Sequence, residues 1–568
     1  MRLAADFPST TRDDWRALAL GVLRRSGVES EAPEVALATH TYDGVTVAPL
    51  YDASDLPDDP GLPGLPPYVR GARAARHGWE VRQRHAVPDA EAVLADLENG
   101  VGSLWLVVGD GAIGVGELPR VLDGVYLDLL SVTLEAGERT REAAEALLAL
   151  AGERGTPLTG NLGASLANGV EAAELARRCA GEFPGLRAVM VDATPYHDAG
   201  ASDVEELGCS IADGVAHLRL LTEAGLTAGE ALGQIEFRYA ATADQFATIA
   251  KLRAARRLWA RVAEVCGAAE VPQAQHAVTS SAMMTARDPW VNMLRTTLAC
   301  FAAGVGGADA VTVQPFDAVL GLPDAFARRI ARNTQSLLME EAGVGRVIDP
   351  AGGSWYVERL TADLAERAWE WFQELEAGAS AAERIAATGA RRADDIAHRR
   401  RPITGVSEFP NLTEALPVRA PAPAGRPVAR YAAEFERLRD LADAQPERPA
   451  VFLATIGPVA AHTARASFAA NLFQSGGFAT PDAGPGTDPD QIATAFAISG
   501  STVACLCSSD LLYGRHAEVV AAALKRAGAR RVWLAGKGDY RGVDATLHAG
   551  CDALHVLRTT FDDLGVTK

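Results

Sequence analysis

From about residue 80 onward the chain alternates short apolar runs with helical patterns of about ten or more residues, the signature of parallel β-α units. The runs fall at 104–108, 125–129, 158–160, 188–192, 235–239, 277–280 and 310–314. A continuous series of this kind predicts a (β/α)8 TIM barrel, with an open doubly wound sheet as the alternative that the pattern alone leaves standing. Several runs end in polar or small residues, as at Asn161, Asp192-Ala193-Thr194-Pro195 and Thr279-Ser280-Ser281, where a barrel places its working loops. Long helical stretches follow at 324–341 and 362–397.

A passage rich in proline at 401–427 then marks a boundary. Beyond a helix at 431–444, strands at 450–454, 502–507, 532–535 and 553–557 alternate with helical segments such as 516–527, which Gly528 closes. This is the text of a second, flavodoxin-sized α/β domain. Before the barrel, Thr11-Arg12-Asp13-Asp14-Trp15 reads as a helix cap, and Thr41-Tyr42-Asp43-Gly44-Val45-Thr46-Val47 as a turn feeding a strand. The segment 57–67, with five prolines and two glycines, suits neither a helix nor a central strand. The expected layout is an extended arm at 1–70, the barrel with its following helices at 71–400, a linker and helix at 401–445, and the α/β domain at 446–568.

Composition narrows the function classes. Lys and Arg number 54 against 73 Asp and Glu, a net charge of −19, which argues against nucleic acid as a partner. No run approaches the roughly 18 apolar residues of a membrane span, and the opening residues 1–8 hold Asp6 and no apolar segment, so a cytoplasmic protein is expected. The seven cysteines are scattered, and Cys505 and Cys507 have no further ligand beside them, so neither a disulfide framework nor a metal site is expected.

A set of phrases carries more information. They are Tyr68-Val69-Arg70-Gly71, Trp79-Glu80-Val81-Arg82-Gln83, Ala212-Asp213-Gly214-Val215, Ala250-Lys251-Leu252-Arg253-Ala254, and Arg328-Arg329-Ile330-Ala331-Arg332-Asn333-Thr334-Gln335. Ile348-Asp349-Pro350-Ala351-Gly352-Gly353-Ser354-Trp355-Tyr356-Val357-Glu358 and Thr404-Gly405-Val406-Ser407-Glu408-Phe409-Pro410 complete it. In this order they resemble the cobalamin-dependent acyl-CoA mutases, specifically the methylmalonyl-CoA mutase family. The resemblance implies a barrel for the acyl-CoA and a flavodoxin-like domain for the cobalamin.

In that family cobalt is held by the histidine of an Asp-x-His-x-x-Gly turn, oriented by the aspartate. The matching turn here reads Val459-Ala460-Ala461-His462-Thr463-Ala464: valine replaces aspartate, Ala461 stands at the ligand position, and Ala464 replaces glycine. His462 comes one residue late, about a hundred degrees away on a helix, and is expected as a surface or helix-start histidine. The Ser-x-Leu and Gly-Gly signatures beside the nucleotide tail correspond to Ser508-Ser509-Asp510 and Gly536-Lys537, although a literal Ser509-Asp510-Leu511 survives one step on. Asp510 and Lys537 in a groove for an uncharged tail would bury charge. The domain is therefore expected to keep the fold as a degenerate cobalamin-binding domain, with no metal of its own.

The barrel is altered as well. The family's Thr-Met-Tyr phrase is answered by the shorter Ala72-Arg73-Ala74-Ala75-Arg76-His77-Gly78, and Gly-Thr-Ile-Gln-Asn-Asp by Gly160-Asn161-Leu162-Gly163-Ala164-Ser165. Tyr196-His197 is retained, and its counterpart histidine donates to the thioester carbonyl, so these two residues are the possible vestige of a catalytic pair. Gly352-Gly353 lacks the Lys-Ser/Thr of a phosphate loop and reads as a turn. His398-Arg399-Arg400-Arg401 reads as a solvated or interdomain face with some prospect of a functional contact.

The expected function is that of the small, non-catalytic chain of a heterodimeric mutase. Its large partner would hold adenosylcobalamin and acyl-CoA and interconvert (R)-methylmalonyl-CoA and succinyl-CoA. The alternatives are an active barrel that borrows cobalamin from a separate chain, and a regulatory or cofactor-loading partner.

Overall fold

The computed structural model describes residues 10–566 apart from 58, 76–77 and 424. The opening residues 1–8, and Arg76 and His77 of the shortened barrel phrase, lie outside the described residues. Eight parallel strands close into a barrel: β1 (Glu80–His85), β2 (Ser103–Val107), β3 (Ser131–Glu135), β4 (Thr159–Ala164), β5 (Leu186–Asp192), β6 (Ile235–Ala241), β7 (Ala274–Thr279) and β8 (Ala310–Thr312). Closure is made where Ala310 and Val311 of β8 pair with Glu80 and Val81 of β1.

One expected strand of the barrel is absent and one strand was not expected, each for an identifiable reason. The run at 125–129 is a loop whose Val125 and Leu127 are buried while Tyr126 and Leu129 face solvent, and the strand starts only at Ser131. β1 was not anticipated because its sequence, Glu-Val-Arg-Gln-Arg-His, carries charge at every second position. Those charges turn inward, where a barrel usually presents branched apolar groups.

The helices that matter to the sites are α1 (Arg12–Arg25), α2 (Asp203–Glu223), α3 (Gln245–Val265), α4 (Ala325–Ser336), α5 (Trp355–Glu376), α6 (Ala381–Ala397), α7 (Ala433–Asp443), α8 (Val459–Ser475), α9 (Asp510–Arg526) and α10 (Ala553–Leu564). The stretch 362–397 splits into α5 and α6 at Gly378, whose φ is +99°. No helix among the described residues is long and apolar enough to cross a membrane.

The second sheet is parallel, in the order β9 (Phe452–Thr455), β10 (Val503–Cys507), β11 (Arg531–Ala535), β12 (Ala545–Leu547). Bridges from Ala450 to Ala479 and from Leu453 to Asp482 lay residues 479–482 along the free edge of β9, which gives the flavodoxin-like order. The run at 553–557 is not a strand. Its buried residues at 553, 554, 556, 557, 560 and 561 follow a helical period, and Asp552 caps it by accepting from His555 N.

The proline-rich linker is a strap across the carboxyl end of the barrel. Leu322 N donates to Ala420 O at 2.8 Å, Ala429 N to Asp198 O at 2.7 Å, and Tyr431 N to Ala282 O at 2.9 Å. Arg419 pairs with Asp317 and with Asp324, and Arg426 with Asp192 at 3.0 Å. Loops that follow β5, β7 and β8 are thus fastened to one segment.

The amino-terminal segment is not extended throughout. α1 is capped by a reciprocal Thr11–Asp14 box, and only Leu23 of its 14 residues is buried. A short hairpin, Thr39–His40 against Thr46–Val47, then returns the chain to the barrel. There Tyr42 donates to Asp395 at 2.7 Å beneath the Arg392 and Arg401 guanidiniums, and Asp43 accepts from the Ser202 hydroxyl. Burial, with Asp203 and Glu205 nearby, pushes the Asp43 carboxyl up to about 6. A raised carboxyl favours docking while protonated, so this contribution is complete below about pH 4 and is lost as pH rises through about 6. Hydrogen exchange across residues 39–47 should therefore quicken between those values, and Asp43→Asn should flatten the dependence.

Candidate functional site

At the carboxyl edge of the second sheet, the turn that would carry a metal ligand has become the first turn of α8, with Pro458 as its cap. Ala461 lies at the ligand position, and its Cβ lies 3.6 Å from where a side chain on Gly457 would begin. His462 is at the helix start but not on the surface. It is 8% exposed, on the face it shares with the buried Ala469 and Phe473, and its Nδ1 is buried without a partner. Helical spacing turns it toward the sheet and away from Ala461. Val459 is exposed, and Thr463 bonds back to the Val459 carbonyl at 2.6 Å, so neither orients a ligand. Ala464 lies on the outer side of the same turn.

The corridor beyond is filled by side chains that sequence reasoning missed. A Cβ on Gly457 would lie 2.4 Å from Leu512 Cδ1. Tyr513 lies between strands, its hydroxyl 2.9 Å from Leu506 O and 2.8 Å from Ala535 O while it accepts from Ser508 N at 2.8 Å. Ser508 donates to Ile456 O at 2.7 Å. Arg465 spans the rest: it donates to Ser508 O at 2.7 Å and to Asp510 at 2.6 Å, and it abuts Gly536, where a Cβ would lie 3.1 Å from its Cζ. A single guanidinium therefore touches three of the signature positions. Its sequence signal was its place four residues after Ala461, on the same helical face.

These residues do not fit a cobalamin. Ala461, at the position that matches the family's ligand, offers no nitrogen, and Leu512, Tyr513 and Arg465 fill the space beside Gly457, Ser508 and Gly536. Asp510 and Lys537 are both exposed at the rim, so neither charge is buried in the chain as it stands. Ser509 serves as the cap of α9, and Leu511 points to solvent.

The barrel interior is closed by charge pairs. Arg82 crosses the axis, donating to Glu236 at 2.7 Å and to Ser103 at 2.8 Å, while Asn161 donates to the other Glu236 oxygen at 3.2 Å. Above them Arg238 stacks 3.9 Å over the Trp105 ring, donates to His276 Nδ1 at 3.1 Å and pairs with Asp192 at 3.2 Å. His276 accepts there, so its Nε2 carries the proton to Thr312 at 2.8 Å. Burial, then Arg82 and Arg238, hold that imidazole well below its usual range. Burial works against the Asp192 carboxylate, but Arg238 and Arg426 outweigh it and leave the carboxyl below its ordinary value. The sequence signal for this network is the alternate charges that Glu80-x-Arg82-x-Arg84 and Glu236-x-Arg238 each place on one strand face.

Tyr196 and His197 are tied to the scaffold and diverge. Tyr196 donates to Asp213 of α2 at 2.9 Å, whereas His197 Nε2 is 2.6 Å from Ser280 Oγ at the end of β7. Burial, then the Lys251 charge, pushes His197 down to about 3, so it is a neutral imidazole at physiological pH. Lys251 itself is buried at 2.6 Å from Glu206 and 2.9 Å from Asp203. Burial disfavours its charge, yet the two carboxylates prevail and raise its pKa.

Asp14 serves the α1 cap, while Asp394 and Asp395, neighbours in α6, hold Arg400. Gly352-Gly353 forms the turn into α5, where Ser354 is the cap. The seven cysteines are free, and no group of three or more His, Cys, Asp or Glu among the described residues is placed to hold a metal.

A family model described as methylmalonyl-CoA mutase matches residues 162–451. The chain is 55% identical over 608 residues to a Streptomyces virginiae protein named methylmalonyl-CoA mutase small subunit, covering 100% of this chain and 98% of that one. It is 47% identical over 575 residues to a probable methylmalonyl-CoA mutase small subunit of Mycobacterium bovis, with 92% of each covered. A methylmalonyl-CoA mutase small subunit of Propionibacterium freudenreichii subsp. shermanii is 40% identical over 621 residues, covering 100% of this chain and 97% of that one.

Proposed function

Because the chain belongs to the methylmalonyl-CoA mutase family, we propose that it is the small subunit of a heterodimeric mutase whose chemistry belongs to a large partner. In this reading the partner binds adenosylcobalamin and acyl-CoA and interconverts (R)-methylmalonyl-CoA and succinyl-CoA by radical rearrangement, in cytoplasmic propionyl-CoA metabolism. The observation that carries the reading is Ala461 at the ligand position, with Arg465 laid across Ser508, Asp510 and Gly536 behind it. The Arg82–Glu236 pair across the barrel axis weighs against threading an acyl-CoA chain there, and the Ser280 bond weighs against a free His197.

The test is to purify the chain alone and together with a large mutase subunit, and to follow cobalamin absorbance and succinyl-CoA formation. The expected outcome is no stoichiometric cobalamin on the chain alone, and activity only when the large subunit is present. Stoichiometric cobalamin on the isolated chain would overturn the proposal. Activity from this barrel with cobalamin lent by a small separate protein would favour the borrowed-cofactor alternative.

We further propose that α1 is a partner-binding element. Its Leu18 and Val22, one turn apart, are exposed, and among the described residues no other part of the segment covers them. Burying two such side chains is worth about 1.5–3 kcal/mol each. Deleting residues 1–30 keeps the docked hairpin and should weaken heterodimer assembly by roughly 10-fold or more, read by analytical ultracentrifugation. An unchanged association constant would refute the role of α1.

A further inference from the structure

We propose that one outer face of the barrel is a docking surface for a second copy of this chain. The face is built from two neighbouring helices, Val291–Gly306 and α4, which pack side by side on the barrel wall. Helix Val291–Gly306 carries a single charged residue, Arg295, whose guanidinium is engaged by Thr285, Asn292 and the Thr404 carbonyl. The side chains this helix exposes are Leu294 and Leu298, and Trp290 stands exposed one turn before them. α4 adds Phe326, and the single turn Leu337–Glu341 that continues it adds Leu337.

Aromatic contacts make the upper part of this face continuous. Trp290 stacks on Phe316 with 4.8 Å between ring centroids, and Phe316 meets Phe326 edge-on at 6.1 Å. A lone exposed leucine is ordinary on a protein surface, whereas a group of large apolar side chains on one face marks an interaction site. A helix of 16 residues is about 24 Å long, and two side by side are about 20 Å wide, so mating two such faces removes roughly 1,000 Å² from water. That is near the lower end for a specific interface, so the association is expected to be reversible.

Charge selects the occupant. Arg329, one turn beyond Phe326 and 5.4 Å from its ring centroid, is exposed and has no ion pair or hydrogen bond among the described residues. About 16 Å farther along the same helix, Glu340 and Glu341 are exposed and equally without an ion-pair partner. The neighbouring charges are already engaged: Asp324 pairs with Arg419 at 3.0 Å, and Arg328 donates to the Pro323 carbonyl at 3.0 Å. A twofold axis near the exposed Asn333 sets two copies of α4 antiparallel, puts Arg329 of each copy against the acidic end of the other, and lays the apolar side chains together. The face is thus complementary to itself, whereas a partner of one charge sign would meet a like charge at one end.

The test is sedimentation velocity on the full chain alone, from about 1 to about 100 μM, in about 0.15 M salt, where a screening length of about 8 Å blunts the repulsion due to a net charge of −19. A reversible dimer is expected. Leu294 is 67% exposed, so Leu294→Lys should leave the far-UV circular dichroism unchanged while raising the dissociation constant about 10-fold or more. Arg329→Glu should weaken the dimer about fivefold, and adding Glu340→Arg with Glu341→Arg should restore it, a rescue that apolar adhesion alone does not produce. A chain that stays monomeric at about 100 μM, or a dimer that Leu294→Lys leaves intact, would overturn the proposal. If the chain is monomeric by itself and Leu294→Lys abolishes its binding to a large mutase subunit, the face belongs to that subunit and not to a second copy.

Discussion

Arg253→Met is expected to lower the stability of the barrel by about 3–5 kcal/mol, the cost of leaving buried charge without its partner. Arg253 is fully buried in α3, pairing with Asp349 and with Glu358 at 2.6 Å. Arg70 reaches the same Asp349 at 3.2 Å from a position that is partly exposed. Methionine fills the space but leaves two carboxylates in the interior with only that one cation. Denaturant titration monitored by far-UV circular dichroism should show the barrel transition at lower urea, and Glu358→Gln in the same chain should recover part of the loss. A single variant that unfolds at the wild-type midpoint would show that the cluster is not needed for stability.

That cluster also explains what was legible in the sequence. Arg70, Arg253, Asp349 and Glu358 come from three phrases far apart in the chain, and they meet in one ion-pair group. Trp79 and Gln335, from two further phrases, meet in a hydrogen bond of 2.9 Å. The phrases identified the family, and in the fold they are joints of the scaffold. The short apolar runs likewise revealed most of the barrel, since the strands present buried Leu104, Leu106, Phe237 and Tyr239 outward to the helices.

What could not be read were contacts made across the fold. β1 hid behind its inward charges, because Arg82 finds Glu236 only once the barrel closes. At the second sheet, substitution at Ala461 was visible in the chain, but the occupation of the corridor was not. Arg465, Leu512 and Tyr513 are ordinary helical residues until the sheet brings Ser508 and Gly536 beside them. His462 shows the same limit in reverse: its exposure depended on which helical face met the sheet.

The largest effect of all is expected from a single methyl group. In β4, Gly160 has φ of +126°, and a Cβ there would lie 2.0 Å from Val132 O, while at Gly163, with φ of +74°, it would lie 2.1 Å from Leu134 O. These are contacts with the backbone of β3, so no side-chain rotation relieves them. They sit where Val132 pairs with Gly160 and where the register toward β5 shifts between Asn161 and Ala164. A bulge there packs β4 unusually close to its neighbour and aims Asn161 at Glu236. Gly160→Ala must therefore push two strands apart and break the central polar network, at a cost above about 4 kcal/mol. Gly225 supplies the control, because its φ is +99° with nothing within 4 Å of a Cβ. Gly225→Ala bears only the left-handed penalty of roughly 1–2 kcal/mol and should remain folded, whereas Gly160→Ala should fail to accumulate as soluble protein. Equal yields and equal melting curves for the two variants would mean that β3 and β4 can separate without loss of the barrel. The glycines of this phrase would then need another explanation than the closeness of two backbones.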